Sequence, residues 1–263
     1  MTNTASTYTY YPGCSVTGLS KEYHRSICEI CHVLGIELEE LKDWNCCGAS
    51  ALASVNRLFA VLAPARSLAL AAAHHRDLVT ACSSCYLVLR KTLDQYTADP
   101  ALQAQVDEAL ALIGRRLDPG LRVRHLLDVL YSDVGLEAVA AKVSRPLNGL
   151  KVVAYYGCQI ARPYPLESPQ ALEELLAALG AEVVPFENRT SCCGGSLLAG
   201  LKMAGLELAR QVLAEAADRQ ADAIAVLCPL CQVNLDAYQA QVNRQFHTQF
   251  QLPVVYFTQL LVF

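Results

Sequence analysis

The sequence predicts an α/β protein made of two pseudo-repeated halves, each with a parallel sheet and with cysteine loops at the carboxyl ends of its strands. Three observations predict it. Ten of the cysteines fall into two sets of five on one spacing. The residues flanking them repeat with them. Short apolar strand patterns alternate with helical patterns along both halves, the signature of parallel strands joined by helices.

The chain has 263 residues and 12 cysteines. Cys14, Cys46, Cys47, Cys82 and Cys85 form the first set, and Cys158, Cys192, Cys193, Cys228 and Cys231 the second. The first cysteines are offset by 144 residues and the other four pairs by 146. Tyr10-Tyr11-Pro12-Gly13-Cys14 matches Tyr155-Tyr156-Gly157-Cys158, and Cys46-Cys47-Gly48-Ala49-Ser50 matches Cys192-Cys193-Gly194-Gly195-Ser196. Cys82-Ser83-Ser84-Cys85 matches Cys228-Pro229-Leu230-Cys231. A repeat of this kind divides the chain into a first unit over residues 1–97, a helical connection over 98–148 without cysteines, and a second unit over 149–263.

In the first unit, Tyr8 to Tyr11 is an aromatic strand that ends near Cys14. A helix over Leu19 to Leu34 stops at Gly35. Ile36 to Leu41 is a strand leading to Cys46 and Cys47, and Ala51 to Ala73 reads as one helix. Leu78 to Ala81 is a buried strand followed by Cys82 and a helix to about Gln95. In the second unit, Val152 to Tyr156 is a strand. Ser168 with Pro169 is the expected cap of a helix that runs to Leu179 and ends at Gly180. Glu182 to Phe186 is a strand, Leu197 to Ala217 a helix, and Ala223 to Leu227 a strand that delivers Cys228 to a further helix. Every cysteine loop thus follows a strand and precedes a helix. That gathers the ten thiols at the carboxyl edge of the sheets, where open α/β folds place their sites.

Composition narrows the function. Apolar residues are 53%, enough for a sizeable core, and the net charge of −4 gives no basic face for nucleic acid. The most apolar stretch, Ala51 to Ala73, is interrupted by Asn56, Arg57, Pro64 and Arg66, so no membrane span is expected. Met1 to Thr7 lacks a basic and apolar leader pattern, and the cytoplasm is the expected compartment. Cysteine usage of this density in such a chain points to metal or redox chemistry rather than to disulfides. Five ligands exceed the four of a closed zinc site and the four of an ordinary iron–sulfur cluster. Adjacent cysteines suit a larger inorganic body, and the neighbouring glycines let backbone N–H groups approach its sulfurs. Zinc, or buried structural cysteines, are the competing readings.

The doubled pattern, with Tyr11-Pro12-Gly13-Cys14-Ser15, Asp43-Trp44-Asn45-Cys46-Cys47-Gly48-Ala49, Tyr156-Gly157-Cys158 with Arg162-Pro163, Cys192-Cys193-Gly194, Cys228-Pro229-Leu230-Cys231-Gln232-Val233-Asn234-Leu235 and Tyr256-Phe257-Thr258-Gln259, resembles the heterodisulfide reductase B-subunit family with its tandem CCG domains. The resemblance implies that the ten cysteines ligate two noncubane [4Fe-4S] clusters facing each other across the halves. It implies a catalytic oxidoreductase subunit that reduces or forms a disulfide between them, each sulfur being captured by an iron. It also implies partners: a small [4Fe-4S] electron-carrier subunit of the C type, a flavin subunit of the A type, and a small-molecule or carrier-bound thiol or disulfide. Membrane association would come through those partners. The alternative is an electron-transfer subunit of a CCG-type dehydrogenase complex, of the fumarate/succinate, glycolate or lactate type, without a substrate of its own. Family members run on by a further helix, whereas this chain stops at Phe263. Its last residues, Leu260 to Phe263, are expected to be exposed, either under a partner or where that helix is missing.

Other residues weigh less. Cys31 belongs to the apolar stripe of the first helix and Cys28 lies on its flank, which reads as packing. His74 and His75 suit a solvated helix end, and His24 and His32 a surface. Trp44 reads as cover near Cys46. Arg162 is the candidate substrate-binding residue, as a donor to an anionic group. Lys42 and Arg189 read as solvated charge.

Overall fold

The computed structural model describes residues 6–50 and 52–261. Two four-stranded sheets share one topology, β2-β1-β3-β4 and β6-β5-β7-β8, and every pairing is parallel. In the first unit β1 (Ser6–Tyr10) leads to α1 (Cys14–Thr17) and α2 (Lys21–Val33), and β2 (Ile36–Glu40) to α3 (Leu52–Val55) and α4 (Arg57–Ala72). β3 (Leu78–Thr80) leads to α5 (Ser83–Ala98). After α6 (Pro100–Ala111) come β4 (Val123–His125), α7 (Leu126–Asp128) and α8 (Leu136–Ala140). The second unit repeats the plan: β5 (Lys151–Tyr155), α9 (Cys158–Ala161), α10 (Ala171–Ala178), β6 (Glu182–Val183), α11 (Lys202–Asp218), β7 (Ala223–Val226), α12 (Pro229–Asp236), α13 (Gln239–Phe246) and β8 (Val254–Tyr256). Apolar strand residues such as Leu78, Val79, Val153 and Ile224 are buried under helix residues such as Leu68, Leu89 and Leu213.

Several expectations are corrected. The connection over 98–148 is not purely helical. It supplies β4, the fourth strand of the first sheet, in register with β3 from Leu78↔Val123 to Thr80↔His125. The helix expected over Ala51 to Ala73 breaks at Asn56, whose side chain accepts from the Phe59 N–H and starts α4. Pro64 sits inside α4 without ending it. Ser168 does not cap α10. Its hydroxyl accepts from the Gln170 N–H in a local turn, and the helix begins at Ala171. The strand expected over Glu182 to Phe186 keeps two residues, because Pro185 has no N–H for the ladder. The helix expected from Leu197 begins at Lys202, after a short 3₁₀ turn over Gly195–Leu197. At the far end Leu260 is buried rather than exposed, while Val262 and Phe263 lie outside the described residues, as do Met1 to Ala5.

β4 carries two buried polar residues, Arg124 and His125, each with defined partners. Arg124 pairs with Asp133, which also accepts from the Tyr8 hydroxyl. The imidazole of His125 is fully buried: Nε2–H donates to the Ala81 carbonyl (3.1 Å), and Nδ1 accepts from the Leu127 N–H (3.2 Å). The bond accepted by Nδ1 requires a neutral ring, and burial holds its pKa down at about 4. Three residues on, burial pushes the Asp128 carboxyl up to about 6. The two act in opposite senses. The folded pKa of His125 lies below the unfolded value of about 6.5, so its stabilisation is full above that pH and falls by about 3 kcal/mol as pH drops toward 4. Asp128 takes up its proton earlier in the folded than in the unfolded state, so over the same window it adds stability of similar size. His125→Gln is therefore expected to flatten the loss of stability between pH 6.5 and 4, and Asp128→Asn to steepen it, as read by urea unfolding across that range.

Candidate metal centre

Each sheet ends its strands on cysteines, and the same pairs form twice. In the first set the Cys14 and Cys46 sulfurs are 3.4 Å apart, and those of Cys47 and Cys85 are 3.5 Å apart. Cys82 is in side-chain contact with Cys85. In the second set Cys158 meets Cys192, Cys193 meets Cys231, and Cys228 meets Cys231. The N–H of Gly48 points at the Cys46 sulfur (3.4 Å), and that of Gly194 at the Cys192 sulfur (3.3 Å).

Gly13 and Gly157 are required at these places. Both have positive φ, 78° and 72°, and a Cβ there would stand 3.0 Å from the Cys85 sulfur and 3.1 Å from the Cys231 sulfur. The backbone therefore passes directly over the buried CxxC cysteine in both halves. Burial also repeats. Cys47, Cys82, Cys85, Cys193, Cys228 and Cys231 are buried, whereas Cys14 and Cys46 are exposed and Cys158 and Cys192 half-buried. Each set is thus closed on its CxxC side and open on the side of its first cysteine.

The two sets touch each other. Cys82 is in side-chain contact with Cys228, and the Ser84 hydroxyl lies 3.5 Å from the Cys228 sulfur. Behind this contact the fully buried Tyr23 donates to the carbonyl of Ala81 (2.8 Å) and reaches that of Leu227 (3.4 Å), the residues just before Cys82 and Cys228. Its ring stacks on Tyr256 from the second half, with centroids 3.9 Å apart. The Tyr256 hydroxyl donates to Ser20, and Ser26 bonds Thr258 at 2.6 Å.

Proton distribution follows the contacts. The Cys47 thiol is held well below the ordinary range, because Cys46 and Cys85 hydrogen-bond to its thiolate. Cys192 and Cys228 are lowered for the same reason, by Cys158 and by Cys231 respectively. Their donors Cys46, Cys158 and Cys231 are pushed up. Among the described residues no three His, Cys, Asp or Glu side chains converge on one point as the ligands of a single ion. The thiols stand instead as one pair and one chain of three in each set, Cys14 with Cys46 and Cys47 with Cys85 and Cys82 in the first. Five sulfur donors per set, with thiolate character and backbone N–H groups aimed at sulfur, fit a polynuclear iron–sulfur group.

The remaining candidates lie elsewhere. Arg162 is exposed at the end of α9, where the backbone turns extended (φ −152°, ψ 138°). Arg189 is bound to Glu173 (2.7 Å) and to the Pro169 carbonyl, and Lys42 is exposed. Cys31 is buried on the core face of α2, and Cys28 is exposed 3.8 Å from His24. His24 itself stacks on Tyr10. His74 pairs with Glu39, and Trp44 meets the Tyr11 ring edge-on at 5.4 Å. Sequence reasoning missed Tyr23 and His125. Tyr23 was legible only as a polar-tipped ring in the apolar stripe of the first helix, and His125, in the strand Val123–His125, gave no signal.

Comparison with known proteins agrees with this geometry. A family model described as a cysteine-rich domain, CCG, matches residues 8–90 and again 152–236. The 8-methylmenaquinol:fumarate reductase membrane anchor subunit of Wolinella succinogenes is 35% identical over 97% of this chain and 90% of its own. A heterodisulfide reductase B-subunit-like protein of Archaeoglobus profundus is 31% identical, over 97% and 89%. The B subunit of the ferredoxin/F(420)H(2)-dependent CoB-CoM heterodisulfide reductase of Methanosarcina acetivorans is 30% identical, over 87% and 79%. The crystal structure of a hypothetical protein from Helicobacter pylori shares the fold with a TM-score of 0.75 at 13% identity; it matches 99% of this chain, which spans about half (49%) of that one. With two copies of the cysteine-rich domain, and with relatives among both the fumarate reductase and the heterodisulfide reductase subunits, the chain belongs to the tandem CCG-domain family of the heterodisulfide reductase B subunits.

Proposed function

We propose that the ten cysteines hold two noncubane [4Fe-4S] clusters, and that this chain is the part of an oxidoreductase complex at which a disulfide is reduced, or in reverse formed. The observation that supports the reading is the junction of the two halves at their CxxC motifs, where the Ser84 hydroxyl lies 3.5 Å from the Cys228 sulfur and Tyr23 bonds the carbonyls before Cys82 and Cys228. A disulfide needs two electrons and two protons to become two thiols, and it parts into two similar halves. Two similar centres side by side match that need; a relay would need only a chain of centres.

The clusters would supply one-electron steps and a soft metal site for sulfur. This chain's own residues do the rest. Cys47, Cys85, Cys193 and Cys231 anchor each set from its buried side. Gly48 and Gly194 direct N–H groups at sulfur and stabilise negative charge there. Tyr23 ties together the carbonyls ahead of the two CxxC motifs, which fixes the spacing of the two sets, and His125 holds the first of those carbonyls from β4.

In this reading the electrons come from a flavin subunit through a small [4Fe-4S] subunit. Leu19, Val55, Phe59, Leu201 and Met203 are exposed in the segments that follow the open cysteine loops, a pattern that supports partner docking on that side. No helix among the described residues is long and apolar enough to cross a membrane. The relative named as a membrane anchor supports an arrangement in which the complex reaches the membrane through this face or a partner.

Anaerobically purified protein is expected to contain about eight irons and a similar number of acid-labile sulfides per chain. Stoichiometric zinc with no labile sulfide would remove the cluster reading and the disulfide chemistry with it.

A further inference from the structure

The two residues inside the first CxxC motif reach the second set. Ser83 and Ser84 open α5 directly after Cys82, and both are buried, at 1% and 6% exposure. With Cys158, Cys192, Cys193, Cys228 and Cys231 they line the space against the second set. The Ser84 hydroxyl stands 3.5 Å from the Cys228 sulfur. The Ser83 hydroxyl is buried and has no hydrogen-bond partner among the described residues. Buried hydroxyls rarely stay unpaired in folded proteins, and this one belongs to a residue at the edge of a sulfur site.

The second half returns no such donor. At the offset of 146 residues that relates the two CxxC motifs, Ser83 corresponds to Pro229 and Ser84 to Leu230, and neither has a hydroxyl. Leu230 turns to the loop of its own set, where a Cβ on Gly195 would stand 2.8 Å from its Cγ. Solvent access differs as well. Cys14 and Cys46 of the first set are exposed, so water reaches their sulfurs, whereas Cys158 and Cys192 are half-buried. A drier site depends more on the donors that the protein itself supplies.

We infer that Ser83 and Ser84 act across the junction, as hydroxyl donors from the first half to the sulfurs of the second set, and that they raise the reduction potential of the cluster held there while leaving that of the first set in place. The inference rests on the two-cluster reading above and adds an inequality between the clusters. A reduced cluster carries one more negative charge than an oxidised one, so an O–H donor aimed at its sulfur stabilises the reduced form more. The donors of the first half therefore favour entry of an electron at the second set.

The test is a redox titration of the anaerobic, iron-loaded protein with dithionite, followed by EPR and visible absorption. Each step moves one electron from dithionite to one cluster. Combining Ser83→Ala with Ser84→Ala is expected to lower one of the two midpoints by about tenfold in the reduction equilibrium, about 59 mV for one electron, and each single substitution by part of that. The other midpoint stays within about twofold, and iron and labile sulfide are unchanged, because alanine suits both helix positions. Cys47→Ala, which opens the first set, identifies the cluster that moves: the one that remains is expected to show the full shift when both serines are also replaced. Exchangeable-proton couplings in the ENDOR spectrum of that cluster weaken in the same variants, a readout that loss of packing alone does not give. Two midpoints that move together, two that stay in place, or an unmoved midpoint in the Cys47→Ala background overturn the cross-half donors and leave the two-cluster reading standing. A wild type without labile sulfide overturns both.

Discussion

Cys47→Ala and Cys193→Ala are each expected to abolish disulfide turnover with an artificial electron donor while removing only about half of the iron. The two cysteines occupy equivalent buried places. Cys47 packs on Cys85 at 3.5 Å, and Cys193 on Cys231, with its carbonyl held by the Asn234 amide. Losing either thiol opens one set and leaves the other with its five sulfurs. On the two-cluster reading the intact set would still take one thiol. It cannot take both halves of a disulfide, so the second sulfur product has no stabilising partner and the cleavage becomes steeply uphill. A fall of about a thousandfold or more, equivalent to about 4 kcal/mol of lost transition-state stabilisation, is the scale to expect. Iron counting, turnover and thiol-dependent EPR on the same samples decide it. Near-normal turnover by either variant would assign catalysis to one cluster and relay to the other.

Tyr23→Ala is expected to be the most damaging substitution outside the cysteines. The ring is fully buried, stacks on Tyr256, meets Phe257 edge-on and bonds the chain on both sides of the junction. Removing it costs about 3–5 kcal/mol for the cavity alone, and the Ala81 carbonyl keeps only His125 as donor. Against a total stability of about 5–15 kcal/mol, much of the protein would unfold near room temperature in the less stable part of that range. Tyr23→Phe keeps the stack and should cost about 1 kcal/mol. Urea unfolding with iron content measured in parallel checks both. Equal, small effects of the two variants would show that the stack does not hold the halves together.

The repeat was legible because cysteine is rare and its spacing is rigidly copied, and the strand-to-loop-to-helix pattern alone then places ten thiols at one edge. β4 was not legible. Three residues are too few to show periodicity, and two of them, Arg124 and His125, read as surface until Asp133 and Ala81 are seen to satisfy them. β8 escaped for a similar reason: Val254–Tyr256 is a three-residue strand after Pro253. The cap at Ser168 failed because Ser-Pro also suits a turn, and the turn won. At the site, the spacing showed which cysteines belong to a set but not that Cys82 and Cys228 would meet, since that depends on how two sheets dock.

The most direct measurement is EPR of the reduced and oxidised wild-type protein, anaerobic and iron-loaded, titrated with thiols and then with their disulfides. If the two sets act together on sulfur, thiol addition changes the cluster signal, and a disulfide is consumed at a rate matched by electrons drawn from the donor. If the signal stays unmoved by every thiol while electrons still pass through the protein to an acceptor, the chain is a relay, and the disulfide account of its two cysteine sets is wrong.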